Sequence, residues 1–135
     1  MTGLTALLLF AAWTLLVMSI YVFPRVALVL ANKYKANTWT RGQATPDGPL
    51  LVRAQHAHMN CVENLPVFAA LVLAAQALGQ SAVVDGMLAA VFLYARVAQG
   101  VVHLISTSHL MVLLRAVLFV IQLGVYLLIL KGLLA

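Results

Sequence analysis

The chain has 135 residues, 64% of them hydrophobic and only 8% charged, with a formal net charge of +5. A soluble domain carries about 25% charged residues and 45–50% apolar ones, so this composition excludes a globule solvated by water. The basic surplus, which in a soluble protein would point to nucleic acid, is read here as membrane topology, and no nucleic-acid partner is expected.

Gly3 to Pro24 contains no charged residue, and neither does Asn64 to Val84. Val97 to Leu114 is interrupted only by His103 and His109, and Ala116 to Leu130 is again uncharged. Crossing the hydrocarbon takes about 20 predominantly apolar residues. The runs predict an all-α membrane protein, a single four-helix domain over 1–135 with helices at about 4–31, 53–79, 82–104 and 109–131. The first run has no basic residue before it and Arg25 after it, so it is expected to remain as a span rather than be removed as a signal peptide.

The segment 32–49 is the one stretch with loop composition, and it holds Lys33, Lys35 and Arg41, with Arg53 just beyond. Short cytoplasmic loops carry the excess of Lys and Arg. The 32–52 loop and the Ser106-Thr107-Ser108 turn are therefore expected in the cytoplasm, with both termini on the opposite side. Lys131 is a single opposing charge.

The informative residues lie at the wrong depth. An ionisable side chain in the hydrocarbon is costly, normally faces the bundle interior, and marks a candidate site. On the second helix Arg53, His56, Asn60 and Glu63 step by 3, 4 and 3, which predicts one shared face. On the third, Arg96, Gln99 and His103 step by 3 and 4; on the fourth, Arg115, Gln122 and Tyr126 step by 7 and 4. At about 1.5 Å per residue, Glu63, Arg96 and Arg115 lie roughly 15, 12 and 9 Å from the loop-side helix ends, all in one half of the membrane. The expectation is a pocket in which Glu63 pairs with Arg96 and the surplus guanidinium of Arg115 and Arg53 grips a small acid.

Each of these residues also has a plainer reading. Glu63 and Arg96 can form a purely structural ion pair, Asn60 can be interhelical glue, and Arg53 can snorkel to the headgroups. His58 reads as an interface residue, His109 as a solvated cap and Arg25 as structural. Cys61 is alone, which rules out an intrachain disulfide, and nothing near it in sequence resembles the base of a nucleophile. His56 and His58 point from different faces, so no metal site is expected.

The run Arg53-Ala54-Gln55-His56-Ala57-His58-Met59-Asn60-Cys61-Val62-Glu63-Asn64-Leu65-Pro66-Val67-Phe68 resembles the MAPEG family, the membrane-associated proteins of eicosanoid and glutathione metabolism, whose second helix carries R-A-x-x-N-x-x-E followed by proline and phenylalanine. Tyr94-Ala95-Arg96-Val97-Ala98 is similar to the family's third-helix segment, and Arg115-Ala116 to the arginine that opens its fourth helix. The resemblance, which extends over nearly the whole chain and is nearest to bacterial-type microsomal glutathione transferases, implies a homotrimer with glutathione as co-substrate bound between subunits. It implies that Asn60, Glu63 and Arg96 bind the tripeptide or order its site and that Arg115 is catalytic; Arg53, His56, Gln99 and His103, on the same polar stripes, are expected to complete the binding site. A guanidinium beside sulfur favours the thiolate, which is the nucleophile.

The implied activity is a glutathione-dependent transferase or peroxidase acting on lipophilic electrophiles delivered through membrane lipid. The alternative is a non-catalytic lipid-binding or accessory subunit of a larger membrane complex. Three positions depart from the pattern: His56 stands in place of an arginine, His103 in place of the usual tyrosine, and Gln99 in place of another aromatic or histidine.

Overall fold

The computed structural model describes residues 1–135. Four α-helices follow one another along the chain: α1 (Gly3–Leu30), α2 (Pro49–Ala77), α3 (Met87–Ile105) and α4 (His109–Leu134). All four are long and apolar enough to cross a membrane, as an integral multi-pass protein requires. The most extensive packing joins α1 to α2 and α3 to α4, and α3 also lies against α1 and α2.

Local chemistry sets the ends. Thr2 caps α1, its hydroxyl accepting from the Thr5 N–H at 3.1 Å. Asp85, in the α2–α3 connection, accepts from the Gly3 N–H at 2.6 Å, and the Gly86 N–H donates to the Met1 carbonyl at 2.9 Å. The start of α1 is thereby tied to the opposite hairpin. At its other end Asn32 takes the left-handed conformation (φ 54°), the Asn32 N–H donates to the Val29 carbonyl, and the Lys33 N–H donates to the Leu28 carbonyl. This is a Schellman closure, and it turns the chain back on itself.

Two boundaries differ from the sequence expectation. Helix α2 starts at Pro49, where proline's fixed φ and missing N–H suit the first helical turn. Helix α3 starts only at Met87, because Ser81–Val83 forms a 3-10 turn and Gly86 has φ 82°, so residues 81–86 reverse the chain before the helix begins. The first helix runs through Pro24 to Leu30 without interruption.

The core lies toward the end of the bundle that holds the termini. One aromatic from each helix meets there: Phe68 stacks on Phe92 with ring centroids 3.8 Å apart, Phe10 meets Phe92 edge-on at 5.6 Å, and Tyr126 lies 5.2 Å from Phe92. Between lipid-bathed helices there is no hydrophobic driving force, so this close packing holds the bundle together, aided by small residues such as Ala6, Ala75 and Ala89.

Candidate functional site

Helix α2 divides its polar side chains between two neighbours. Toward α3 and α4 it presents Asn60, with Arg53 nearer the loop. The Arg96 side chain, 1% exposed, donates through Nη1 to the side-chain carbonyl of Asn60. Its guanidinium carbon stands 5.4 Å from the centre of the Phe10 ring, while Nε and Nη2 have no partner. Arg96 is thus a buried cation served by one neutral acceptor.

A layer of amides sits beside it. Gln122 donates to the Gln99 side-chain carbonyl at 3.1 Å and to the Leu118 carbonyl at 2.9 Å, and Gln99 donates to the Arg115 carbonyl at 3.1 Å. These bonds couple α3 to α4 at the height of Arg115. Nearer the loop, the His56 and His103 rings are 6.5 Å apart, and Arg53 donates from Nε to the Leu104 carbonyl at 2.8 Å.

Between these helices opens a cavity of about 340 Å3, lined by Asn60, Gln99, His103, Val112, Arg115, Ala116 and Phe119. It contains no carboxylate. Arg115 is half-buried on its wall and has no acidic partner. A guanidinium in such a setting attracts an anion, and the amides and histidine add hydrogen bonds.

Glu63 is not in this cavity. The ion pair with Arg96 expected from the sequence does not form, because Glu63 faces away from α3. The spacing explains the error. Steps of three and four keep neighbours in line, but ten residues fall about 80° short of three full turns, so Glu63 has drifted round α2 from Arg53. It is exposed, makes no hydrogen bond or ion pair, and borders a recess of about 310 Å3 on the α1 side.

That recess gathers Arg25 and His58, whose plainer reading is structural, with Tyr21, Trp39, Asp47 and Gln55, which no helical spacing marks. Arg25 pairs with Asp47 and also donates to the Gln55 side-chain carbonyl at 2.7 Å, while the Trp39 indole donates to Asp47 at 2.9 Å. The Arg25 guanidinium lies over the Tyr21 ring at 4.7 Å, and the Tyr21 hydroxyl meets His58 Nδ1 at 2.8 Å. Arg41 and Glu63 complete the wall. One signal for this cluster was present: the chain has only three acidic residues, and a carboxylate as scarce as Asp47 calls for a cationic partner.

The sequence model of the MAPEG family matches residues 3–135. The chain belongs to the MAPEG family. No curated protein and no solved structure matches it. MAPEG proteins commonly use glutathione, in transferase chemistry or eicosanoid metabolism. The MAPEG match covers all four helices, and so both the cavity beside Arg115 and the recess beside Glu63.

Proposed function

We propose that this protein is a glutathione-dependent transferase or peroxidase acting on lipophilic electrophiles. The observation that carries the reading is Arg115, a guanidinium without an acidic partner on the wall of a carboxylate-free cavity between α2, α3 and α4. Glutathione offers two carboxylates and a thiol. Arg53 and the mouth histidines His56 and His103 would receive a carboxylate, Asn60 and Gln99 would bond the peptide, and Arg96 would hold Asn60 in place. Arg115 would stabilise the thiolate, whose sulfur attacks the electrophile as the leaving group departs.

Glu63 enters this reading through a second copy. Within one chain it stands on the far side of α2 from Arg115, exposed and unpaired at the border of its own recess. In a homotrimer the recess of one copy would face the cavity of the next, so that Glu63 could take the tripeptide's ammonium group. The basic loop is assigned to the cytoplasmic side by its Lys and Arg content.

The test is conjugation of a generic aromatic halide by the purified protein with glutathione. Arg115→Ala should cut kcat/KM by about 10²–10³, as removal of an electrostatic donor does, and Arg115→Lys should recover part of it. Equal rates for all three would remove Arg115 from the chemistry. The departures at His103, on the cavity wall, and at neighbouring His56 favour one rival, a non-catalytic lipid-binding or accessory subunit, which predicts no glutathione binding at millimolar concentration.

A further inference from the structure

The reversal at Asn32 and Lys33 brings the connecting segment back along α1, so that the 3-10 turn Ala36–Trp39 lies beside the last turns of that helix. Between them runs an apolar groove of about 310 Å3, lined by Val22, Val26, Val29, Leu30, Ala36 and Trp39, with Arg25 as its one charged wall. From Val22 to Leu30 it follows α1 for about 12 Å. It lies on the α1 side of the molecule, away from the cavity beside Arg115.

Three features fix what suits it. The first is depth: Tyr34 and Trp39 meet edge-on at 5.8 Å at the loop end of the groove, and such amphipathic rings sit at the membrane–water interface. The second is charge. Lys33 and Lys35 are exposed beside Leu30 and Ala36 and have no acidic partner, because Asp47 is bound to Arg25, Asp85 lies at the opposite end of the bundle and Glu63 faces another recess. The third is the lining itself, which offers an apolar chain a slot and offers a polar ligand almost nothing.

We propose that this groove seats one acyl chain of an anionic phospholipid, with Lys33 and Lys35 holding its phosphate. Basic residues just outside a span attract anionic headgroups, and the groove converts that diffuse attraction into a defined site. Because Trp39 and Arg25 line both the groove and the Glu63 recess, the bound lipid braces the loop that forms one wall of that recess. The site is independent of the glutathione reading.

The experiment is native mass spectrometry of the full-length protein in detergent, titrated with phosphatidylglycerol, with phosphatidylcholine of the same chains, and with glycerol phosphate. The expected result is one phosphatidylglycerol per chain, bound at least tenfold more tightly than phosphatidylcholine, with no binding of glycerol phosphate. The double variant Lys33→Gln/Lys35→Gln should erase the preference between the two lipids. Val26→Trp, which fills the groove from the exposed side of α1, should weaken both; if that variant does not fold, Ala36→Leu fills the same space from the loop. Equal affinity for the two lipids, an unchanged preference in the lysine variant, or tight binding of glycerol phosphate would overturn the proposal. So would full phosphatidylglycerol binding with the groove filled, the result expected if the lipid sits elsewhere or a second copy covers this face.

Discussion

Arg96 donates to the side-chain carbonyl of Asn60, and no carboxylate lies against it. A buried guanidinium in a membrane bundle normally has an anionic partner, because an uncompensated charge costs several kcal/mol. Here the single acceptor carries that burden.

Asn60→Ala should therefore destabilise the protein by about 1–3 kcal/mol, the cost of stranding a buried charged donor. Arg96→Met removes the charge and keeps the bulk, and should cost less. Thermal unfolding of both variants in one detergent ranks them, and the reverse order would mean that Arg96 has compensation beyond Asn60.

Glu63→Gln should leave stability unchanged, since Glu63 is exposed and unpaired, but should raise KM for glutathione. The sharper measurement mixes copies. Arg115→Ala and Glu63→Gln chains, each inactive or weak alone, should regain activity when co-expressed, because some interfaces then carry Arg115 from one copy and Glu63 from its neighbour. No recovery in mixed assemblies would confine the site to single chains.

The Arg25–Asp47 pair is the only salt bridge in the chain, with side chains 12% and 2% exposed. Asp47→Ala leaves Arg25 facing Tyr21 and Trp39 without its anion and should cost about 3–5 kcal/mol. The loss should appear as faster proteolysis of residues 36–47 and a lower Tm. Arg25→Met combined with Asp47→Leu should recover much of the stability.

Gly100 lies under Trp13: a Cβ placed there would stand 2.8 Å from the indole Nε1. Gly100→Ala should push α1 from α3 and cost about 1–3 kcal/mol, as overpacking does. Trp13→Leu in the same chain should restore much of the loss, measured again as Tm.

The four spans were legible because uncharged runs of that length have few other uses, and each run holds a helix long and apolar enough to cross a membrane. The start of α3 was misplaced because Ala82, Val83 and Val84 continue the apolar run while Gly86 reverses the backbone. Spacing marked a polar stripe on each of α2, α3 and α4, and Asn60, Arg96, Gln99 and Arg115 from those stripes do come together. It misassigned Glu63 because errors in angle accumulate over ten residues. The Arg25–Asp47–Gln55 cluster was illegible for another reason: it depends on the path of an irregular loop folding back on α1, and no repeat in the sequence encodes that path.

The ring of Phe10, Phe68, Phe92 and Tyr126 has one more effect. It fills the space between the four helices, between the amide layer and the chain ends. The cavity beside Arg115 is lined only by residues on the loop side of those rings, so within one chain it is a vestibule rather than a passage to the termini.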